Sequence, residues 1–344
     1  MATLKDLGEY LDLSVTQVSR ALNGHSDVNE KTRLRVQQAA KKLNYSPNIA
    51  ARNLVSGRSG VMGLVSRVPV GEASDNYLDV IVGLSAQFAK RNKQFIIHII
   101  DKNEDEIEAY RKLVNSGAID GFVIVEAIIN DPRIAFLQEK SFPFVVHGRT
   151  PNENNFPYFD IDNYGVAYSL TEHLIKLGHK HIALINGLEG SCYSAARLKG
   201  YQAALAAGRL PFYPHLIRSG GMYESLGIVS TVQLLTHTEI KPTAIIAGNI
   251  LIARGVYKAL DALKLDIPQH ISVVAHDDVL PRFRASAFYP ALTVTRSALE
   301  SSWGPLAEYL CGTIEGVPLK KLQQVAPFEF MTRASTAAVN NIKI

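Results

Sequence analysis

The chain opens with apolar residues at helical spacing. Leu4, Leu7 and Leu11 fall at i, i+3 and i+7 and predict one stripe of a short helix, with Thr3 as its cap. Asp6 sits at the N3 position, where a carboxylate suits the helix dipole. Gly8 faces the direction from which a second helix can approach closely. After the break Asp12-Leu13-Ser14, Ser14 caps a second short helix and Gln17, three residues on, completes a capping box. Val18, Ala21 and Leu22 form its buried side, and Asn23-Gly24 ends it. Val15, Thr16, Gln17, Ser19 and Arg20 are left facing outward. A third helix follows Asn29, with Leu34, Val36, Ala39, Ala40 and Leu43 as its apolar face. The segment after Pro47 has too few apolar residues for a core and reads as a linker on its own.

From Val61 the pattern changes. Short apolar runs at 61–66, 94–100, 119–125 and 142–149 read as strands, and helical spacing fills 77–90, 104–117 and 132–139 between them. The rhythm then restarts. Helices are predicted at 164–179, 194–207, 223–235 and 252–263, and strands at 181–187, 243–249 and 271–278. Regular alternation of this kind predicts two doubly wound α/β lobes with parallel strands. Ligands in such sheets gather beyond the carboxyl ends of the strands, and two facing lobes make a cleft that closes on its ligand. Arg149, Arg197, Asn249 and Asp277 stand at or near those ends, a set suited to paired hydrogen bonds with hydroxyl groups.

Charge changes the picture only when it is divided. The net charge is +4, and residues 1–60 alone carry nine Lys/Arg against five Asp/Glu, so the rest of the chain is balanced. A basic module on a neutral body points to a polyanion partner for the module, although a solvated helix face would look the same. Two cysteines, Cys192 and Cys311, make no disulfide framework and are expected to be reduced thiols of a cytosolic protein. No Cys/His cluster has metal-ligand spacing, so neither metal nor cofactor is expected. No secretory signal is evident, and no apolar run reaches the roughly 20 residues of a membrane span.

Two short helices joined by a tight turn fit a helix-turn-helix, whose second helix enters a DNA major groove. TLKDLGEYLDLSVTQVSRALNG, followed by VNEKTRLRVQQAAKKLNYSPNIAARNL, resembles the head-piece of the LacI family of bacterial transcription regulators. DNYGVAYSLTEHLIKLGHKHIALI and DIPQHISVVAHDD are similar to the sugar-binding core that this family attaches to it, a periplasmic-binding-protein-like fold. The resemblance implies four parts: a DNA-binding domain (1–46), a hinge helix and linker (47–60), a first lobe (61–160 with 293–322) and a second lobe (161–292 with 323–344).

It also implies roles. Val15 and Thr16 match the positions that vary operator choice, and Gln17, Ser19 and Arg20 match further contacts to bases and phosphates. Asn23, His25, Thr32, Asn48 and Arg52 would clamp the DNA backbone, with Thr3, Ser14 and Ala51 beside them. Leu54 matches a leucine that wedges into the minor groove at the dimer axis; its other reading is packing within its own domain. The family usually has Gly at Asp12, a left-handed position that Asp tolerates.

In the core, Arg197, Asn249 and Asp277 match effector contacts. Tyr77, Glu126, His147, Asp162 and Met222 would line the cleft wall, although Asp162 also reads as a helix cap, His147 as a satisfied buried histidine and Tyr77 as core. The family commonly has Asp where Ile250 stands and an aromatic ring at Met222.

The resemblance thus implies a cytoplasmic homodimeric repressor, nucleoid-associated when bound to a pseudo-palindromic double-stranded DNA operator and controlled by a small carbohydrate effector. HGR and AGN resemble the α-glucoside-responsive branch, so a disaccharide such as sucrose is expected. A purine or sugar phosphate is the alternative ligand. A transport module would call for a signal peptide. A sugar-active enzyme would need a placed acid/base pair, which adjacent Asp277 and Asp278 on one strand do not make.

Overall fold

The computed structural model describes residues 2–22, 25–45, 57–67, 74–152, 154–280 and 282–339, with backbone only at 74–77. The expected sites Asn23, Asn48, Ala51, Arg52 and Leu54, and the side chain of Tyr77, lie outside the described residues. The chain forms two compact units, Met1–Ser59 and Gly60–Ile344.

The first unit contains α1 (Leu4–Leu11), α2 (Val15–Leu22) and α3 (Glu30–Lys42). Each starts on the cap read from its sequence. Thr3 Oγ1 accepts from the Asp6 amide at 3.2 Å, and Asp6 Oδ2 accepts from the Thr3 amide at 2.7 Å. Ser14 and Gln17 repeat the exchange at 3.2 and 3.0 Å, and Asn29 Oδ1 accepts from the Thr32 amide at 2.8 Å. Asp12 ends α1 with φ 54° and ψ 48°, the left-handed geometry expected there. Beyond it the Leu13 amide returns to the Gly8 carbonyl at 2.9 Å. A Cβ on Gly8 would meet the Leu13 carbonyl oxygen at 2.7 Å, so the turn needs a glycine at that point. Leu7, Leu11, Val18, Ala21, Val36 and Ala39 close the core. Leu34 does not join it and is 53% exposed. Val36, Ala39, Ala40 and Leu43 recur at i, i+3, i+4 and i+7, and Leu34 falls off that stripe.

The second unit is built on two six-stranded sheets. The first holds β1 (Val61–Arg67), β2 (Gln94–Ile100), β3 (Gly121–Ile124), β4 (Phe144–His147), β5 (Tyr158–Ile161) and β11 (Gln323–Ala326) in the order β11-β5-β4-β3-β1-β2, all parallel. Helices α4 (Ser74–Lys90) and α11 (Trp303–Ile314) cover one face; α5 (Glu106–Ser116) and α6 (Pro132–Glu139) cover the other. The second sheet holds β6 (Ile182–Asn186), β7 (Ile217–Ser219), β8 (Ala244–Ala247), β9 (Ser272–Asp277), β10 (Thr293–Arg296) and β12 (Glu329–Met331) in the order β12-β10-β9-β8-β6-β7. Only its edge pair β10–β12 is antiparallel. Helices α7 (Asn163–Lys176) and α8 (Cys192–Ala207) pack on one face, α9 (Glu224–Thr236) and α10 (Ile250–Ala262) on the other. Alternate residues of one strand serve opposite faces: Ile245 joins the α9–α10 side and Ile246 the α7–α8 side. A Cβ on Gly255 would run into the Glu224 carbonyl, so the α9–α10 crossing depends on glycine there.

The exchange of chain between lobes differs from the expected boundaries. Residues 293–296, expected in the first lobe, are β10 and pair with β9 of the second sheet. Residues 323–326, expected in the second lobe, are β11 and pair with β5 of the first. The chain changes lobe after each of these strands rather than before it, because long-range pairing outweighs any local signal in four residues.

Candidate functional site

The two sheets share one order about β1 and β6, with strands on either side wound in opposite directions. Such a switch point leaves a crevice at the carboxyl ends of the strands. The two crevices face each other across one cleft of about 900 Å³. At its rim the lobes touch through backbone: the Ile129 amide donates to the Gly190 carbonyl and the Cys192 amide to the Ala127 carbonyl, both at 2.9 Å.

Glu126, His147, Arg149, Arg197, Met222 and Asn249 line this cleft; Arg149, Arg197 and Asn249 were expected near it from the strand ends, the other three from the family resemblance. Arg197, on the first turns of α8, is 5% exposed. Its Nε donates to Asn163 Oδ1 at 2.8 Å and its Nη1 to the Gly248 carbonyl at 2.6 Å. Both partners are neutral, so neither offsets the guanidinium's charge. Burial pulls its pKa below the usual arginine value, against the pull of Asp278, Tyr193 and Asp160. Asn249 is both wall and cap: its Oδ1 accepts from the Ile252 amide at 2.9 Å, and its Nδ2 donates to the Met222 carbonyl at 3.1 Å. Ile250, where the family commonly has Asp, is fully buried in the second lobe's core. His147 packs near Phe159 and Trp303. Burial lowers its pKa, opposed by Asp160 and Asp278, which favours a neutral ring.

Two expected contacts are not in the lining. Asp162 caps α7, its Oδ1 accepting from the Gly165 amide at 3.0 Å, so its local reading as a cap prevails. Asp277 is the last residue of β9 and is 5% exposed; its Oδ1 accepts from the Val279 amide at 2.8 Å. Asp278 lines the cleft instead. Neighbouring residues at a strand end point to opposite faces, and of this pair only Asp278 is in the lining. Asn163, Tyr164 and Tyr193 also line the cleft and were missed. Tyr193 stands one helical turn before Arg197, whose guanidinium lies 5.5 Å from its ring centre, and that i, i+4 spacing was the available signal.

Each of the other cleft arginines has at least one oxygen partner. Arg133 pairs with Asp131 through Nε at 3.0 Å and Nη2 at 2.7 Å. Burial works against its charge, but the Asp131 pairing prevails and raises its pKa. Arg149 binds Asp160 at 2.8 Å. Arg67 donates to the carbonyls of Asp101, Lys102 and Glu104. Cys192 also lines the cleft, but burial pushes its thiol up to about 11, which leaves it a poor nucleophile at neutral pH.

In the head, Val15, Thr16, Gln17 and Arg20 are exposed on α2, with Val15 46% accessible; Ser19 is half-buried. Gln17 spends its amide oxygen on Ser14, leaving its NH₂ for an external acceptor. Thr3, Ser14 and Thr32 all serve the caps described above, and His25 is exposed after α2.

Known proteins agree with both units. Residues 3–48 match the family described as bacterial regulatory proteins, lacI family, and residues 69–304 match periplasmic binding proteins and sugar binding domain of LacI family. The HTH-type transcriptional regulator AglR of Rhizobium meliloti (strain 1021) is 38% identical over 335 residues, 97% of this chain and 94% of the relative. The chain belongs to the LacI family. This LacI-family chain is thus a DNA-binding transcription regulator, and the enzyme reading is set aside because its relatives are regulators. The HTH-type transcriptional regulator RafR of Escherichia coli is 34% identical over 279 residues, 80% of this chain and 81% of its own. Among solved structures, a transcriptional regulator CelR–cellobiose complex aligns with TM-score 0.71 at 26% identity, covering 97% of this chain and all of that one. No helix among the described residues is long and apolar enough to cross a membrane.

Proposed function

We propose that this chain is a homodimeric repressor whose DNA affinity is set by a neutral disaccharide, an α-glucoside such as sucrose, held in the cleft. The state of the cleft arginines carries this reading. Arg67, Arg133 and Arg149 already have oxygen partners, and Arg197 is held by neutral groups. A phosphate ester would face the carboxylates of Glu126, Asp160 and Asp278 in the same cleft, whereas sugar hydroxyls can donate to these and accept from the arginines. A cleft of about 900 Å³ lies at the upper end of ordinary ligand pockets and has room for two sugar rings. The CelR structure holds cellobiose, also a disaccharide.

Dimerisation is supported by a separate observation. Leu78 and Val82 on α4 are 52% and 66% exposed, and Ile99, on the α4 face of the adjacent edge strand β2, is 45% exposed, an apolar surface fit for a second copy. A symmetric dimer would read a pseudo-palindromic operator with two α2 helices, the outer face of each carrying Val15, Thr16, Gln17 and Arg20. The effector changes DNA affinity only through its unequal affinity for the two conformations of the regulator.

Thermal melting of the full-length protein with mono- and disaccharides, purines and sugar phosphates tests the proposal. A neutral disaccharide should raise Tm with concentration and shift operator affinity. A response confined to purines or phosphates would refute the sugar reading and leave the DNA-binding regulator intact.

A further inference from the structure

Arg20 has five N–H donors, and the fold already uses two. Its Nε donates to Asp27 Oδ2 at 2.9 Å, and its Nη2 lies 2.8 Å from the same oxygen. The side-on edge of the guanidinium is therefore occupied. The end-on edge remains, with both Nη1 hydrogens and the outer hydrogen of Nη2.

Asp27 is itself held in place. It lies in the connection between α2 and α3, which Arg33 of α3 pins from behind. Arg33 Nη2 donates to the His25 carbonyl at 3.0 Å and the Val28 carbonyl at 3.4 Å. The Val28 amide donates to His25 at 3.2 Å, and the His25 amide to the Arg20 carbonyl at 3.1 Å. Backbone on both sides of Asp27 is thus tied to α2 or α3. The Arg20 pairing also lowers the Asp27 pKa, so the carboxylate is ionised at neutral pH.

We propose that Asp27 is a positioning residue for base recognition: it holds Arg20 so that the end-on edge of the guanidinium is presented to one guanine in each half-site. This rests on the reading of α2 as the recognition helix. Two parallel donors on one edge match guanine O6 and N7 and no other base edge in the major groove. An exposed arginine without a support spreads over many rotamers, and ordering it opposes every contact it makes. The carboxylate also repels the phosphate backbone, so it works against non-specific affinity while sharpening discrimination. Those two effects differ in sign and can be separated.

The test is selection of sites from a randomised duplex pool by the full-length protein, followed by titration of the selected site and its single-base variants. Wild type should select a symmetric site with a guanine whose replacement costs on the order of tenfold in affinity or more. Arg20→Ala should erase that cost. Asp27→Asn and Asp27→Ala should both shrink it about three- to tenfold, the scale of one lost hydrogen-bonding partner. Non-specific affinity should stay level or rise, and the salt slope should not change, because no phosphate contact is lost. Adding Asp27→Asn to Arg20→Ala should remove nothing further. Agreement between the two Asp27 variants, with unchanged circular dichroism melting, separates positioning from unfolding of the head.

Full guanine discrimination in Asp27→Asn would overturn the proposal. So would equally tighter binding to every sequence with a steeper salt slope, since Asp27 would then be a competitor for Arg20. Selection of a site in which no base depends on Arg20 would leave the regulator reading standing and remove this inference alone. Failure of wild type to select any site would remove both.

Discussion

Two arginines mark the contrast between the head and the body. Arg20 in the head is 45% exposed and tied to a carboxylate; Arg197 in the body is 5% exposed and tied to two neutral oxygens. The first works in water, where charge is screened and long-range attraction to a polyanion depends on salt. The second works where water is excluded, so a single well-placed hydroxyl finds it undiluted. One chain therefore recognises DNA with a basic outer face and a small molecule with an internally balanced cavity. The net positive charge of the first sixty residues and the neutrality of the rest follow the same division.

The sharpest break of this contrast is Arg20→Ala. Two half-sites lose their contact at once, so specific affinity should fall on the order of 10²–10³-fold. The sugar-induced rise in Tm should not move. A gel-shift titration beside a thermal melt reads both, and unchanged operator affinity would remove α2 from the recognition role.

Arg197→Ala is the mirror experiment. Loss of a buried hydrogen-bonded charge should weaken effector binding roughly 100-fold. Operator binding without effector should survive. Calorimetry at 50 and 300 mM salt sharpens the comparison: sugar affinity of the wild type should be nearly flat while operator affinity falls steeply. Equal salt dependence at both sites would erase the distinction drawn here.

Much of the head was legible because its determinants are local. Thr3 with Asp6, Ser14 with Gln17, and Asn29 are caps three residues long, whereas the left-handed turn at Asp12 was expected from the family's usual glycine there. The body was legible as alternation but not as topology. Strands β5, β7, β10, β11 and β12 are three or four residues long, and only distant partners make them strands. The same limit applies to the cleft. Arg197 and Asn249 were found because they follow strands. Asp162 takes the cap, the second of the two readings its sequence offered, and Asp277 lies outside the lining because a one-residue step at a strand end reverses the face. Tyr193 was missed because its partner lies on its own helix rather than at a strand end.

A third prediction concerns the body alone. His179 is 1% exposed, with Nδ1 2.9 Å from Thr243 Oγ1 and Nε2 3.1 Å from Ser272 Oγ. Burial lowers its pKa from 6.5 to about 4, with Ala337 pulling upward and His173 downward. A histidine depressed in the folded state stabilises above its unfolded pKa and loses that stability as pH falls toward the folded value. From neutral pH down to pH 5 the loss is about 2 kcal/mol, the slope approaching 1.36 kcal/mol per unit only below pH 6.5. His147 and His173 are shifted the same way and add to it. Melting of the body should therefore fall with pH across this range, and His179→Gln should flatten the slope. A Tm independent of pH from 6.5 to 5 would contradict the buried neutral ring.

The smallest effect expected is at Ser14, and it tests whether head and body are energetically separate. Ser14→Ala removes the hydroxyl that accepts from the Gln17 amide at 3.2 Å and donates to Gln17 Oε1 at 3.1 Å. Loss of an N-cap costs about 1 kcal/mol, within a range of 0.5–2. The six buried apolar side chains described in the head are small or medium-sized, and each deletion there is a large share of what holds three short helices together. Hydrogen exchange should show amides of α1–α3 opening several-fold more often, while those of β6, β8 and β9 keep their protection. Gln17 Oε1 then keeps only the backbone amide of residue 14, at 3.0 Å, so the side chain beside Arg20 is held less firmly and operator affinity should drop a few-fold with sugar affinity unchanged. Faster exchange in the β6–β8–β9 sheet would mean that the two units share one cooperative unfolding event, and the division between a screened head and a dry cleft would then be one of chemistry alone.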